Sequence, residues 1–261
     1  MIFMGEGGLK QSRILICNDD GFNAEGIRVL EQAALCLSDD VWVVAPAAEQ
    51  SGKGHAFTAN GTLTAVKIDD RHYTVDGTPT DCVLFAFNVL LKDKKPDLVF
   101  AGVNHGSNLG FDVIYSGTTG IAMEGTLQGC KSYAFSLYNA KHGSDFWSIV
   151  PVFLPQIVEK TASLEWGSLT FLNVNFPAQR REDVAGIKMA RLSSRKIGDG
   201  IEVISRSEQR TSFKIGCARN GEIEPDSDTF AVQNGYISIT PVSLDMTDRE
   251  SMKTLNSVSF S

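Results

Sequence analysis

Arg13-Ile14-Leu15-Ile16-Cys17 is a short apolar run that stops abruptly on Asn18-Asp19-Asp20-Gly21. Apolar residues then recur at helical spacing, at Ile27, Leu30, Ala33, Ala34 and Leu37, before a second apolar run at 41–45 ends on Pro46. A buried strand, a helix and another buried strand in so short a span leave few folds open. The two strands have to lie parallel in one sheet, joined by a right-handed crossover. The rhythm then continues. A hairpin is expected at 63–68 and 72–75, a helix from the Gly77-Thr78-Pro79-Thr80 turn to about 91, and a buried strand at 97–102. A polar, glycine-rich loop follows at 104–115, and Ser116 caps a helix that runs through 129. Strands at 132–136 and 169–173, with a helix at 146–161 between them, complete an α/β, doubly wound, mostly parallel sheet.

After Phe176-Pro177 the pattern changes. Residues 186–217 hold short β-prone runs at 201–205 and 211–215, separated by polar residues and glycine, and read as a protruding C-terminal β-hairpin arm. Residues 229–234 allow one helical turn at most, and a late strand at 235–240 ends on Pro241. The expected plan is an N-terminal extension at 1–12 and a single α/β domain at 13–261, with the arm at about 186–217.

Charge narrows the partners. The 261 residues carry 24 Lys and Arg against 31 Asp and Glu, a formal net charge of -7. That balance argues against a nucleic acid polymer or an anionic membrane as partner. A small anionic substrate stays open, provided that metal ions or backbone dipoles supply the missing positive charge. Cys17, Cys36, Cys82, Cys130 and Cys217 are scattered and include no Cys-x-x-Cys pair, so reduced thiols packed as small hydrophobes are expected. Residues 1–12 lack the basic start and apolar stretch of a signal peptide. The apolar stretch at 149–158 is broken by Pro151 and Pro155 and is too short to span a bilayer. A cytoplasmic location is expected.

Doubly wound folds bind ligands beyond the carboxyl ends of their strands, where strand order reverses. Asp19 and Asp20 follow the first strand directly and are expected at that crevice. Two carboxylates there repel one another and raise a pKa unless a cation joins them. The loops after the neighbouring strands carry Glu49-Gln50-Ser51-Gly52 and Asn104-His105-Gly106-Ser107-Asn108, and they open on the same edge. Two Asp, a Ser and an Asn make an oxygen donor set suited to Mg²⁺, Mn²⁺ or Ca²⁺ and poorly suited to zinc. Taken singly, Ser51 is an ordinary turn residue and Asn104 an ordinary loop side chain. Ser116-Gly117-Thr118-Thr119-Gly120 opens a helix, and its free N–H groups form a ready phosphate site. Together these segments point to metal-assisted hydrolysis of a phosphate ester.

Seven blocks occur in order: Asn18-Asp19-Asp20-Gly21, Pro46 through Ser51-Gly52, Gly77-Thr78-Pro79, Gly102-Val103-Asn104 with Asn108-Leu109-Gly110, Asp112-Val113-Ile114-Tyr115-Ser116-Gly117-Thr118, Ala122-Met123-Glu124-Gly125, and Gly235-Tyr236-Ile237-Ser238-Ile239-Thr240-Pro241. The series resembles the SurE (survival protein E) family of metal-dependent nucleotidases, with matches from about Arg13 to Thr247. The resemblance implies a Rossmann-like, three-layer αβα body with an arm exchanged between subunits of a homodimer or homotetramer. It implies a 5′-nucleotidase of the acid-phosphatase type that acts on a small-molecule nucleotide and holds one divalent cation per subunit. Nucleoside 3′-monophosphates and short polyphosphate stay open as further substrates. By motif position, Asp19, Asp20, Ser51 and Asn104 hold the cation, and Asp19 and Asp20 are catalytic. Asn108, Ser116, Gly117 and Thr118 hold the phosphate. Gln50 stands where the family often has a basic residue, Glu25 where proline is usual, and Ala101-Gly102-Val103-Asn104 where Ser-Gly-Ile-Asn is usual. None of these departures removes a ligand, but Gln50 bears on phosphate affinity and substrate range.

The expected chemistry is in-line attack by a cation-activated water that Asp19 or Asp20 orients or deprotonates. One alternative is an aspartyl-phosphate intermediate, as in haloacid dehalogenase phosphatases, but their two Asp are one residue apart and these are adjacent. Another is a non-enzymatic, metal-binding receiver-like signalling domain. That needs a phosphoacceptor Asp at a later strand end, whereas Asp97 begins its strand and Asn104 follows it. His55 and His105 border the proposed loops, and either could protonate a leaving alkoxide, although loop-bonding or solvated histidines are commoner. Arg191, Arg195, Lys196, Arg206 and Arg210 on the arm could draw in anionic substrates, although a solvated or subunit-contacting face is the stronger reading.

Overall fold

A computed structural model describes residues 8–139, 144–219 and 223–258. Along the chain the elements are β1 (Arg13–Cys17), α1 (Glu25–Leu37), β2 (Asp40–Pro46), β3 (Ala65–Lys67), β4 (His72–Val75), α2 (Pro79–Phe85), β5 (Leu98–His105), α3 (Gly117–Leu127) and β6 (Lys131–Leu137). They continue as α4 (Val150–Thr161), β7 (Thr170–Phe176), β8 (Gly186–Met189), β9 (Lys196–Arg206), β10 (Thr211–Arg219), α5 (Asp228–Gln233), β11 (Tyr236–Ser243) and α6 (Arg249–Leu255). Nine strands form one sheet in the order β3-β4-β2-β1-β5-β6-β7-β11-β8, and β9 with β10 forms a separate antiparallel pair. The strands from β4 to β7 in that order are parallel, while β3 and β11 run against their inner neighbours. The chain builds outward from β1 to β2 and β4, then returns to place β5, β6 and β7 on the other side. Strand order therefore reverses between β1 and β5, and the fold is the α/β class expected.

Alternation along β1 explains the two helical layers. Ile14 and Ile16 point into a core shared with α1 and α4, whereas Leu15 and Cys17 pack with residues of α2 and α3. On α1 the buried residues are Gly26, Ile27, Leu30, Ala33, Ala34 and Leu37, a stripe at helical spacing. Burying each large aliphatic side chain contributes about 2 kcal/mol. Thr78 and Asp81 form a reciprocal capping box at the start of α2, with Pro79 in the first turn. After Phe85 the helical path continues as a wider π turn, Ala86–Leu90. At the opposite end of the sheet from the site, Asp40 accepts Trp42 Nε1–H at 2.7 Å, Arg13 Nε–H at 2.9 Å, Arg71 Nη1–H at 2.6 Å and Lys94 Nζ–H at 3.1 Å. Burial alone would raise the Asp40 carboxyl, but these four donors overcome it and hold the pKa far below the ordinary carboxylate range.

Several expectations are corrected, and the first is the late strand, which does not end on Pro241 but runs through it to Ser243. β5 does not end at Gly102; it runs on through Asn104 and His105, with a register break against β6 between Ala101 and Asn104. Gly102, at φ +115°, takes up that break, and a Cβ there would lie 2.3 Å from the Phe135 carbonyl oxygen. The arm is narrower than 186–217, because β8 joins the main sheet by pairing with β11, and the hairpin itself is β9–β10. Its neighbour β11 lies far along the chain, so nothing local marks β8 as part of the sheet. Cys36 is exposed rather than packed, because it falls off the buried stripe of α1. Cys17 and Cys82 are buried as expected. Among the described residues no helix is long and apolar enough to cross a membrane.

Candidate active site

The site forms where β1 and β5 end side by side. Asp19, Asp20, Ser51, Asn104, Asn108 and Ser116 all line one cleft of about 400 Å³, together with Asp112, Tyr115, His105 and Arg195. Asp19 is 3 % exposed. Its Oδ1 accepts the Thr118 hydroxyl at 2.5 Å, and Gly117 lies so close that a Cβ there would meet Oδ2 at 2.8 Å. Burial pushes the Asp19 carboxyl up to about 6; the Thr118 hydrogen bond works against this rise and the neighbouring Asp20 charge adds to it. Asp20 Oδ2 accepts the His105 backbone N–H at 3.0 Å, which ties the end of β1 to the end of β5.

The loop after β2 brings Ser51 to this edge. Its backbone is pinned by Gln50 N–H to the Asp19 carbonyl at 2.7 Å and by Gly54 N–H to the Tyr115 carbonyl at 2.9 Å. His55 Nε2 lies 2.9 Å from Glu124 Oε2, and this contact lowers the Glu124 carboxyl. His55 therefore fastens the loop to α3 and is not among the residues lining the cleft. Asn104 donates Nδ2–H to the Gly106 carbonyl at 2.9 Å, which turns Oδ1 towards Thr118 Oγ1, 3.3 Å away. Asn108 is held on several sides: its Nδ2–H donates to Ser136 Oγ at 2.8 Å and its N–H to Asn175 Oδ1 at 2.9 Å. Ser116 caps α3 by accepting Thr119 N–H at 3.2 Å.

Gly117 and Thr118 sit behind Asp19 and not on the cleft surface. Thr118 is fully buried and its one hydroxyl proton is committed to Asp19. What these two residues touch in the structure is the acid in front of them, through the Thr118 hydroxyl and the close approach of Gly117.

Arg195 is a functional candidate for which the sequence favoured a solvated or subunit-contacting face over a part in drawing in anionic substrates. It reaches into the cleft just before β9, and its Nη1–H donates to Asp112 Oδ2. The two side chains are 19 % and 5 % exposed. Buried Asp228 holds this wall in place. Its Oδ2 accepts Gly110 N–H at 2.8 Å, and its Oδ1 accepts Ser193 N–H at 3.0 Å and Thr229 N–H at 2.7 Å. Only the basic residue itself was legible at position 195; its direction depends on long-range pairings.

Among the described residues no group of three or more His, Cys, Asp or Glu is placed to hold a metal ion by itself. The donors that do converge are two carboxylates, an amide oxygen and a hydroxyl, a set that fits a hard divalent cation. The desolvated Asp19 beside Asp20 is the environment such a cation relieves.

The family profile described as Survival protein SurE matches residues 14–199. The 5′-nucleotidase SurE of Paramagnetospirillum magneticum is 46 % identical over 246 residues, covering 93 % of this chain and 94 % of that protein. The 5′-nucleotidase SurE of Rhodospirillum rubrum is 42 % identical over 251 residues, covering 95 % and 96 %. The crystal structure of the SurE protein from Aquifex aeolicus superposes with a TM-score of 0.83 at 38 % identity, covering 94 % of this chain and 98 % of that one. The profile over residues 14–199 and the relatives and architecture over nearly the whole length agree, and the chain belongs to the SurE family.

Proposed function

We propose that the protein is a divalent-cation-dependent phosphomonoesterase that hydrolyses nucleoside 5′-monophosphates to nucleoside and inorganic phosphate. The observation that carries this reading is the convergence of Asp19, Asp20, Ser51 and Asn104 on one cleft that also holds the Arg195 guanidinium. The names of the Paramagnetospirillum and Rhodospirillum relatives support a nucleotide as substrate. A cation held by Asp19, Asp20, Ser51 and Asn104 would supply Lewis acidity, neutralising phosphoryl charge and making water more acidic.

The chain's own groups supply the rest. Asn108, Ser116 and Arg195 line the cleft and are placed to bind phosphoryl oxygens. Asp19 is fixed by Thr118, and Asp20 is fixed by the His105 N–H. One of these carboxylates orients the attacking water and takes its proton. The new P–O bond forms in line as the ester P–O bond breaks, and the departing alkoxide takes up a proton to leave as the nucleoside hydroxyl. Asp19 is buried and already bonded to Thr118, which favours water over Asp19 as the nucleophile. A receiver-like role is disfavoured by Asn104, not Asp, at the end of β5.

A homodimer or homotetramer built through the arm belongs to the same reading. Ile201, Val203, Phe213 and Ile215 pair across β9 and β10 and are all at least half exposed. An isolated two-stranded ribbon is marginal in water, so a partner subunit is its natural cover. Phosphate release from AMP and from 3′-nucleotides, measured with Mg²⁺, Mn²⁺, Ca²⁺ or EDTA, tests the activity. Release with a cation and loss with EDTA is expected. Absence of release from every nucleotide with every cation would overturn the reading.

A further inference from the structure

Strand β7 reads Thr170-Phe171-Leu172-Asn173-Val174-Asn175-Phe176, and it lies inside the sheet between β6 and β11. Leu172, Val174 and Phe176 point into the core shared with α1 and α4. Asn173 and Asn175 alternate with them, so they face the opposite layer, and both are fully buried. Two amides inside a sheet are costly, because each gives up its water and has to find protein partners in exchange. They also have polar company. Ser136 of β6 and Ser238 of β11 flank Asn175 in register, Thr240 of β11 lies opposite Asn173, and all three are buried. The Asn173 Oδ1 and the Ser238 and Thr240 hydroxyls have no partner among the described residues. A row of aliphatic side chains would serve the fold better.

What the polar row does instead is hold Asn108. The Asn175 amide makes two bonds to the backbone of that one residue: Oδ1 accepts the Asn108 N–H at 2.9 Å, and Nδ2–H donates to the Asn108 carbonyl at 3.1 Å. A residue of a neighbouring strand would pair in the same way, so this side chain takes the place of a strand that the loop lacks. Asn173 Nδ2–H donates to the same carbonyl at 2.8 Å. The Asn108 side chain is aimed separately, by its Nδ2–H donating to Ser136 Oγ at 2.8 Å. Ser136, Asn173 and Asn175 themselves do not line the cleft.

We propose that Asn175, together with Ser136, is a positioning residue for phosphate binding: it holds Asn108 in its binding place without touching the substrate. The proposal rests on the phosphomonoesterase reading, in which Asn108 binds a phosphoryl oxygen, and names what keeps that contact in place. Position 175 needs one acceptor and one donor on the same short side chain. A carboxylate would only accept, and it would set a negative charge behind an anion; an aliphatic side chain would do neither. With the loop fixed before the substrate arrives, binding does not have to order it.

The test compares wild type, Asn175→Leu, Ser136→Ala and Ser136→Thr at saturating Mn²⁺. The readouts are KM and kcat for AMP and the Kd of inorganic phosphate, the last by calorimetry without nucleotide. KM and Kd are expected to rise about fivefold or more in Asn175→Leu and about threefold in Ser136→Ala, the scale of one lost hydrogen bond. Ser136→Thr, which keeps the hydroxyl, is expected to restore both. Phosphate held alike before and during reaction is uniform binding, so kcat should change less than about twofold. In an Asn108→Ala background Asn175→Leu should add less than about twofold to KM, because the contact it positions is gone. Wild-type KM and phosphate affinity in Asn175→Leu, a loss of kcat at constant KM, or a full effect in the Asn108→Ala background would each overturn the proposal. Should Asn175→Leu not fold, the Ser136 variants decide: loss in Ser136→Ala with recovery in Ser136→Thr supports the proposal, and any other result overturns it. The phosphate titration separates this failure from failure of the phosphatase reading. If no nucleotide is hydrolysed but phosphate binds wild type more tightly than Asn175→Leu, the enzymatic reading falls and the positioning role stands. If both forms hydrolyse AMP with the same KM, the positioning role falls alone.

Discussion

Asp19 gathers most of the site's constraints in one side chain. It is desolvated, it neighbours a second carboxylate, and it is locked by Thr118 and covered by Gly117. Asp19→Asn keeps the shape and the Thr118 bond but removes a charge, so turnover should fall at least about a thousandfold, the scale on which preorganised charge acts in such sites. Phosphate release together with an unchanged circular dichroism spectrum is the check, and most activity retained would count against the assignment. Thr118 predicts a subtler split. A hydrogen bond to a charged acceptor is worth about 2 kcal/mol, so Thr118→Val should lower kcat by about tenfold or more. KM should move much less, and Thr118→Ser should restore kcat. If Thr118 contacted phosphate instead, KM would rise first. The bond between Thr118 and Asp19 could not be read from the chain, where the two stand 99 residues apart in polar segments at helix and strand ends.

At the level of elements, legibility followed range. β1, α1 and β2 were readable because each is announced by local periodicity and closed by a local breaker, Asn18-Asp19-Asp20-Gly21 or Pro46. That Asp19, Asp20 and Asn104 share one edge was expected from the rule for doubly wound sheets, whereas the reversal of strand order between β1 and β5 is a finding of the structure. Cys36 was misplaced only because its neighbours in sequence were weighed above its position on the helix, off the stripe of Ile27, Leu30, Ala34 and Leu37. β8 and Arg195 are a different case. The partners that orient them, β11 and Asp112, lie far away in the chain, and Asp112 is 83 residues from Arg195. The Asp40 cluster likewise joins β1, β2, the turn before β4 and the segment before β5. Asp40→Asn should cost about 2 kcal/mol at neutral pH, the scale of hydrogen bonds to a charged group. The Asp40 carboxyl has a depressed pKa in the folded protein, so its contribution is complete above the ordinary aspartate pKa of about 4 and is lost as pH falls towards the folded value. Urea unfolding of wild type and variant should therefore differ most at pH 7, and the gap should shrink steadily below about pH 4.

For the whole molecule, the arm is the part that the α/β body does not cover. Replacing both Ile201 and Phe213 by Asp puts charge into the exposed apolar face of the ribbon without touching the sheet core. Light scattering should then show a monomer where the wild-type chain forms a larger species. A wild-type chain that is already monomeric, or a variant of unchanged mass, would sink the arm-mediated assembly. The sheet order carries a last consequence for how the cleft is built. β8, whose strand leads towards Arg195, has β11 as its one neighbour in the sheet. Asp228, which grips the backbone of the same stretch at Ser193, also lies beyond β10. The wall that carries Arg195 is therefore completed from late in the chain: without β11 and Asp228, β8 and Ser193 lose the partners that hold them, while Arg195 keeps the Phe111 N–H and Asp112.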